Sequence, residues 1–306
     1  MTRKEPPRNV GASVRTRLTE RARARHENVQ LTLTRYAIER LLYRLSLSPY
    51  RNHFVLKGAM LFSLWAPAPY RSTGDLDLLG SGEPSPERIR TLFREVISMP
   101  VTDDGVSFSP EALRAEPARL EDQYSGVKIT VTASIAGAVL PIHIDIGFGD
   151  VVTPGTQEIE YPSLLDLPKP ILRAYPPETV IAEKFQAIVV LGMGNSRMKD
   201  FFDIWAISET FSFESGPLRE AVQATFARRQ TEWPTDVPIA LTDAFTKNPA
   251  KQAQWQGFMR RTAFALSPPP LADVTERITT FVSSLVPTEP PAELTWTPPG
   301  PWKSRT

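Results

Sequence analysis

The sequence predicts an α+β protein with a mixed β-sheet core, helices that flank this core, and a mainly helical C-terminal half. Segments with strand-like alternation are confined to about residues 54–150, whereas helical periodicity dominates after about residue 177. Strands in one block and helices in another are typical of α+β proteins. The chain has 306 residues, of which 41% are hydrophobic, so it can bury a sizeable core.

The elements of the first half follow from local patterns. Helices are predicted over residues 13–27 and 31–46, and apolar residues recur at helical spacing in the second until Pro49 ends it. An apolar run leads to Gly58, and a short helix is predicted over residues 59–65. The other predicted elements are a strand in "GDLDLLG", a helix over 86–98, and strands over 127–133 and 139–147.

The second half is predicted to be helical after a Pro-rich loop over residues 162–177. Helices are predicted in "PETVIAEKFQAIVVLG" and in "NSRMKDFFDIWAISE", the latter with Asn195 or Ser196 as its N-cap. The end of the chain is too rich in proline for regular structure. The sequence therefore predicts three parts, which are a core with N-terminal helices (1–160), a helical C-terminal domain (161–286) and a Pro-rich tail (287–306).

The composition excludes several classes of site. With 35 Lys and Arg against 34 Asp and Glu, no global charge attracts the chain to nucleic acid. The sequence has no Cys, which excludes disulfides, thiolate metal sites and a Cys nucleophile, and its three His are scattered. The N-terminus lacks an apolar segment and no apolar run reaches membrane-spanning length, so we expect a cytoplasmic protein with no membrane partner.

Local charge is less even at the N-terminus. The segment "RKEPPRNVGASVRTRLTERARAR" holds eight basic residues and two acidic ones. Such a run is either a solvated helix face or a local nucleic-acid footprint. The choice between these depends on whether a catalytic site lies elsewhere in the chain.

Two carboxylates stand out in the short apolar strand "GDLDLLG". Asp75 and Asp77 share one face of this strand, because side chains two residues apart point the same way. In "PIHIDIGFGD", alternation with isoleucines places Asp145 on the polar face of another strand. If these strands are neighbours, three hard oxygen ligands suited to Mg²⁺ come together. A lone pair of acids on an exposed strand is the alternative interpretation.

The residues before the two acids indicate a phosphate site. Gly58 ends one strand and opens a helix, whose N-terminal N–H groups and dipole attract phosphate. Arg71 could pair with a phosphate, and Ser72 and Thr73 could donate hydrogen bonds. For Arg71 a loop residue in water, and for the two hydroxyls a turn or cap role, stay open.

These motifs together resemble a known family. Strand, glycine, helix, an acidic pair and a later third acid are similar to the pattern of the nucleotidyltransferase superfamily related to DNA polymerase β. The blocks "FVLKGAMLFSLW…RSTGDLDLLG" and "AEKFQAIVVLGMGNSRMKDFFDI" resemble the AbiEii/AbiGii toxin family, over roughly residues 30–207. One departure is Ala59, which stands where the superfamily's second Gly or Ser follows its first glycine.

The resemblance implies a nucleotidyltransferase core and a toxin of a toxin–antitoxin or phage-defence system. Its implied reaction is Mg²⁺-dependent transfer of a nucleoside monophosphate from an NTP to the 3′ end of tRNA. The implied partner is an AbiEi-like winged-helix antitoxin. One alternative keeps the fold but places AMP or UMP on a protein hydroxyl, and another is a binding module without catalysis. The intact acidic pair argues against the latter.

The resemblance also implies roles for individual residues. Asp75 and Asp77 would hold the metal, and Asp145 would complete a second metal site or help to deprotonate the acceptor hydroxyl. Lys184 would contact the triphosphate, unless it is a snorkelling lysine. Further expected catalytic acids are Asp200 and Asp203, with a structural Arg197–Asp200 pair as the alternative. The predicted nucleotide-binding residues are Lys57, Gly58, Arg71, Ser72, Thr73, Lys184 and Arg197.

Overall fold

A computed structural model of the chain describes residues 9–65, 71, 73–119, 125–262, 264, 266–285 and 293–304. It divides into two compact units, which are Met1–Gly149 with Gln157–Ala174, and Asp150–Thr156 with Tyr175–Thr306. A mixed sheet in the first unit and mainly helices in the second confirm the predicted α+β class. Within the described residues, no helix combines the length and apolar character needed to cross a membrane.

The first unit contains an eight-stranded sheet and, among its described residues, four α-helices. Its helices are α1 (Val10–Ala24), α2 (Val29–Leu47), α3 (Phe62–Trp65) and α4 (Pro86–Ile97). Its strands are β1 (Phe54–Lys57), β2 (Asp75–Gly80), β3 (Ser107–Phe108), β4 (Arg114–Arg119), β5 (Ser125–Ile135), β6 (Ala138–Phe148), β7 (Gln157–Glu160) and β8 (Ile171–Ala174).

The sheet is mixed, with the strand order β3-β5-β6-β2-β1-β8-β7, and β4 also pairs with β5. The pairs β2–β6 and β1–β8 are parallel, whereas β1–β2 and β5–β6 are antiparallel. The strand that carries Asp75 and Asp77 therefore lies at the centre of the sheet, beside the strand that carries Asp145.

Alternating burial fixes which face of these strands meets the core. On β2, Leu76 and Leu78 are buried, and on β6 every second residue from Ile142 to Ile146 is buried. The hairpin between β5 and β6 is longer than predicted, because its turn needs only Ala136 and Gly137, which both have positive φ. Acidic residues at the other positions of β2 and β6 consequently point to the opposite face.

Four strands of the sheet were not predicted from the sequence, namely β3, β4, β7 and β8. The sequence of β4 contains Pro117, which an edge strand tolerates because it requires fewer backbone donors. The strands β7 and β8 pair with each other, and Ala174 of β8 pairs with Leu56 of β1. Because β8 lies in the predicted Pro-rich loop, the first compact unit extends to residue 174 and does not end at the proposed boundary of 160.

Two predicted helix starts also differ from the structure. Helix α1 begins at Val10 because the side chain of Asn9 caps it by accepting from the Ala12 N–H. The segment predicted as a helix over 59–65 is a 3₁₀ turn, Gly58–Leu61, followed by the four-residue α3. This segment thus lacks the long helix that would produce a strong dipole.

The second unit is mainly helical, as predicted, and also contains a three-stranded sheet in the order β11-β10-β9. Its described helices are α5 (Pro177–Leu191), α6 (Met198–Ser208), α7 (Ser215–Arg228), α8 (Asp243–Thr246), α9 (Pro249–Arg261) and α10 (Leu271–Ser283). Its strands are β9 (Phe213–Glu214), β10 (Leu294–Trp296) and β11 (Trp302–Ser304).

The tail corrects the prediction of an irregular C-terminus. Trp296 on β10 is fully buried, and its indole N–H donates to the carbonyl of Ser208 at 2.7 Å. Its ring packs edge-on against Phe281, with 4.8 Å between ring centroids. Buried aromatic surface thus holds the described part of the tail in place despite its proline content.

The N-cap of α6 also differs from the prediction of Asn195 or Ser196, because the residue in this position is Arg197.

Candidate active site

The three predicted metal-binding acids lie on two adjacent strands of the first unit. Strands β2 and β6 are parallel neighbours, and their register makes Asp77 the partner of Asp145 and Asp75 the partner of His143. Residues opposite each other in adjacent strands share a face of the sheet. Asp75 is exposed, Asp77 is half-buried, and the side chain of Asp145 is 40% exposed. The condition set from the sequence, that the two strands are neighbours, is therefore met.

Lysines lie on both sides of Asp77 and Asp145 in the sheet. The register places four charged residues in one row across β1, β2, β6 and β5, in the order Lys57, Asp77, Asp145 and Lys128. The Nζ of Lys128 lies 3.8 Å from Oδ1 of Asp145. Cations that border two adjacent carboxylates reduce the repulsion between them and also attract anionic ligands to this face.

Gly58 packs directly against the carboxylate of Asp77. A Cβ atom on Gly58 would lie 2.0 Å from Oδ2 of Asp77 and 2.6 Å from its Cγ. Gly58 also has a φ of +71°, which L side chains rarely adopt. The sequence singled out Gly58 for close approach to a phosphate. In the structure, the group that leaves no room for a side chain at this position is the carboxylate of Asp77.

The other nucleotide-binding residues predicted near Gly58 have structural contacts of their own. The guanidinium carbon of Arg71 lies 5.6 Å from the centroid of the Phe62 ring. The Asp75 N–H donates to Oγ1 of Thr73 at 3.4 Å, so this hydroxyl lies at the start of β2. Ser72 lies outside the described residues. The binding of nucleotide by these residues stays a prediction.

Two residues beside the acids were missed from the sequence. Lys128 is the register partner of Asp145, and His143 is the partner of Asp75 with its Nδ1 3.5 Å from Oγ1 of Thr130. Alternation along "VKITV" and "PIHIDIG" would have placed both on the polar face. Neither was singled out because each looked isolated until the strands were paired.

The carboxylates of Asp77 and Asp145 fit Mg²⁺ by their donor chemistry. Among the described residues, no group of three or more His, Asp or Glu side chains is arranged to hold a metal ion. Mg²⁺ in nucleotide-dependent sites is usually bound by one or two carboxylates together with substrate phosphates, not by a cage made only of protein. Asp77 and Asp145 supply two such carboxylates side by side, and Asp75 lies two residues away on the same face.

The remaining predicted catalytic residues form a separate cluster in the second unit. The Nζ of Lys184 on α5 lies 2.8 Å from Oδ1 of Asp200 and 2.8 Å from Oδ2 of Asp203, both on α6. The two carboxylates are fully buried, whereas the Lys184 side chain is 13% exposed. The ammonium of Lys184 therefore has anionic partners within its own unit and does not behave as a snorkelling lysine.

Arg197 completes this cluster, because its Nε donates to Oδ2 of Asp200 at 2.7 Å. Burial by itself raises the pKa of Asp200, but the positive charges of Lys184 and Arg197 outweigh burial and hold this pKa below its usual value. Two cations and two buried acids thus brace α5 against α6. Catalytic roles for Lys184, Asp200 and Asp203, and nucleotide binding by Arg197, stay predictions.

Comparisons with known proteins give one match that covers most of the chain. The family model described as "Nucleotidyl transferase AbiEii toxin, Type IV TA system" matches residues 40–292. No curated protein matches the chain significantly.

Two solved structures from Helicobacter pylori are similar to the chain, each with a TM-score of 0.49. JHP933 is 13% identical, over 84% of this chain and 92% of its own. A protein described as a candidate nucleotidyltransferase is 14% identical, over 84% of this chain and 95% of its own. These likenesses are too weak to support an argument about function.

Proposed function

The chain belongs to the AbiEii family of nucleotidyltransferase toxins of type IV toxin–antitoxin systems, and from this membership we propose that it moves a nucleoside monophosphate from an NTP to the 3′ end of tRNA. The proposed reaction depends on Mg²⁺ and releases pyrophosphate. Because the family belongs to toxin–antitoxin systems, an antitoxin partner is expected, and we propose that it is an AbiEi-like winged-helix protein. We also propose a cytoplasmic location, where tRNA and NTPs are present.

One observation carries this proposal, namely that Asp77 and Asp145 are register partners on parallel strands and that Gly58 packs against Asp77. Two adjacent carboxylates are the protein ligands with which Mg²⁺ is usually bound in nucleotide-dependent sites. Because Gly58 has no side chain, its backbone lies directly against the carboxylate of Asp77. An arrangement of this kind supports a metal-dependent site more strongly than a solvated acidic strand.

In the proposed reaction the acceptor hydroxyl oxygen forms a bond to the α-phosphorus, and the bond from this phosphorus to the bridging oxygen breaks as pyrophosphate leaves. Asp77 and Asp145 would hold Mg²⁺, which when bound would neutralise charge on the phosphates, and Asp75 lies on the same face two residues from Asp77. In this proposal Asp145 would also accept the proton of the acceptor hydroxyl on a carboxylate oxygen. Lys57 and Lys128, at the ends of the charged row, would attract the phosphates to this face.

The basic N-terminal segment supports RNA as the acceptor. Its described part includes α1, which carries Arg15, Arg17, Arg21 and Arg23. Helix α1 belongs to the same compact unit as the acidic pair. Arginines along one helix suit the phosphate backbone of RNA, and this binding would weaken as salt concentration rises.

The test is a transfer assay with Mg²⁺, each α-labelled NTP in turn and total tRNA. The test variant is Asp77→Asn, which keeps the shape that packs against Gly58. The matched control is Glu87→Gln, which removes a carboxylate charge from a side chain that is 85% exposed in the same unit. We expect label on tRNA with wild type and Glu87→Gln, and at least a ~100-fold lower rate with Asp77→Asn.

The outcomes separate the competing functions. Label on protein instead of RNA would overturn the tRNA proposal and favour nucleotidylation of a protein hydroxyl. Equal labelling by Asp77→Asn and wild type would show that the acidic pair does not perform the reaction. If no NTP gave label on either tRNA or protein, the result would support a binding module without catalysis.

A further inference from the structure

A polar cavity of about 70 Å³ lies in the first unit between the end of α1, the middle of α2, the start of α3 and residues 161–164. Its charged and hydroxyl-bearing walls include Arg21, Arg25, Arg35, Ser63, Glu27 and Glu39. A cavity of this size has room for a few water molecules or one small polar group. None of these residues is among the catalytic, metal-binding or nucleotide-binding residues predicted from the sequence.

The cavity has more positive than negative charge available to a ligand. Both oxygens of Glu39 are already occupied, since Arg40 and Ser163 donate to Oε1 and the Leu164 N–H donates to Oε2 at 2.7 Å. Glu27 lies 3.8 Å from Arg35. Three arginines therefore face two carboxylates, of which Glu39 is already paired with Arg40 and Glu27 also accepts from Oγ1 of Thr32 at 3.3 Å.

Arg21 and Arg35 both line the cavity. The Nε of Arg21 is buried and has no hydrogen-bond partner among the described residues. Burial lowers the pKa of Arg21, and repulsion from Arg25 and Arg35 lowers it further, while Glu27 and Glu39 oppose this in part. The side chain of Arg35 is 11% exposed and donates to Oγ of Ser63 at 3.2 Å. An anion would relieve the repulsion and supply the missing acceptor.

Two contacts connect the elements that line this cavity to residues next to the acids of β2. Leu31 of α2 packs on Gly74, the residue before Asp75, since a Cβ there would lie 3.3 Å from Leu31 Cδ1. Arg35 follows Leu31 by one helical turn, a rise of about 6 Å. Ser63 lies five residues after Gly58, which contacts Asp77. Arg35 and Ser63 therefore belong to segments that also contain neighbours of Gly74 and Asp77.

We infer that Arg21, Arg25 and Arg35 form a phosphate-binding pocket that holds one phosphate group of a substrate beside the acidic pair. Guanidinium groups suit this ligand because their planar N–H donors match phosphate oxygens. Phosphate binding by this pocket does not depend on catalysis, but the identity of the substrate that carries the phosphate rests on the proposed function. That phosphate belongs either to the nucleotide or to the RNA backbone.

The first test measures binding of inorganic phosphate by wild type and by the Arg21→Gln and Arg25→Gln variants. Shifts of the arginine Nε–H signals in NMR titrations report both affinity and place. The matched control is Arg94→Gln, which removes the same charge from an exposed residue of α4 that does not line the cavity. We expect each pocket variant to bind phosphate at least about tenfold more weakly, as for loss of one charge-assisted hydrogen bond, and the control to bind normally.

Equal affinity in all four proteins, or no saturable binding by wild type, would overturn the pocket. Arg25 is exposed, so its variant should fold and keep the test valid if Arg21→Gln does not. A non-hydrolysable NTP and a short single-stranded RNA then identify the source of the phosphate. Weaker binding of the NTP by the pocket variants assigns the pocket to the nucleotide, and weaker binding of the RNA assigns it to the backbone. Because these assays need no turnover, the pocket and the transfer reaction can fail separately.

Discussion

The carboxylate of Asp77 occupies the space in which a side chain of Gly58 would begin, 2.0 Å from the position of a Cβ. The backbone at the end of β1 and the acid on β2 are therefore fitted to each other. In Gly58→Ala the added methyl would displace Asp77 from its place beside Asp145. We expect at least a ~100-fold lower transfer rate, because small displacements of reacting groups are costly, and a loss of about 1–2 kcal/mol in the free energy of unfolding.

Gly137 provides a matched control for this substitution. It has a φ of +83° in the β5–β6 turn, and a Cβ there would have no atom within 4 Å. Gly137→Ala should therefore lose a similar amount of stability through backbone strain and keep normal transfer activity. Urea unfolding and the labelled transfer assay measure the two quantities. Equal losses of activity in both variants would show that strain, not displacement of Asp77, is responsible.

Asp145→Asn should lower the transfer rate by at least ~100-fold while leaving the fold intact, if this acid binds metal or accepts the hydroxyl proton. Its ion pair with Lys128 joins side chains that are 40% and 44% exposed, so the pair should contribute no more than about 1 kcal/mol to stability. Lys128→Gln is the comparison, and we expect it to change the rate by less than about tenfold. Equal effects of the two variants would mean that Asp145 matters only as a partner of Lys128.

Lys184→Met should destabilise the second unit by about 3–5 kcal/mol, because it removes the cation that two fully buried carboxylates share. Lys199→Met is the control, since Lys199 is exposed at the start of α6. It should change stability by less than about 0.5 kcal/mol. Chemical unfolding followed by tryptophan fluorescence measures both. An active and fully stable Lys184→Met protein would contradict the structural role of this cluster.

The lowered pKa of Asp200 predicts a defined dependence of stability on pH. A carboxyl group with a lower pKa in the folded state stabilises the protein above its unfolded pKa, about 3.9, and this contribution is lost as pH falls through the folded value. Arg197→Gln removes one of the two cations that lower this pKa. Its loss of stability, about 1 kcal/mol for a partly exposed partner, should be present above about pH 4 and diminish below it. Urea unfolding between about pH 3 and 7 tests this, and a constant difference would contradict it.

Trp296→Ala should destabilise the protein by about 3–5 kcal/mol, because it removes a fully buried ring and its hydrogen bond to the Ser208 carbonyl. Val237→Ala in the same unit is the control, since Val237 is 52% exposed and should contribute less than about 0.5 kcal/mol. Thermal unfolding compares the two variants. If they were equally stable, the strand that carries Trp296 would not be part of the folded unit.

Local periodicity in the sequence determined a large part of this molecule. Alternation with apolar residues placed Asp75 and Asp77 on one face of β2 and Asp145 on the polar face of β6, and the structure has these orientations. Helical spacing likewise predicted α2 and α5. These features were accessible because the side-chain direction within a strand or helix depends only on neighbours a few residues away.

Only the tertiary structure decided which residues meet. The parallel pairing that joins Asp77 to Asp145, the contact of Gly58 with Asp77, and the two buried acids that hold Lys184 all join separate secondary-structure elements. Strand β8 and the tail strand with Trp296 also depend on partners far away in the chain. Propensity and periodicity do not specify such partners, because pairing and burial are set by packing against residues that are distant in sequence.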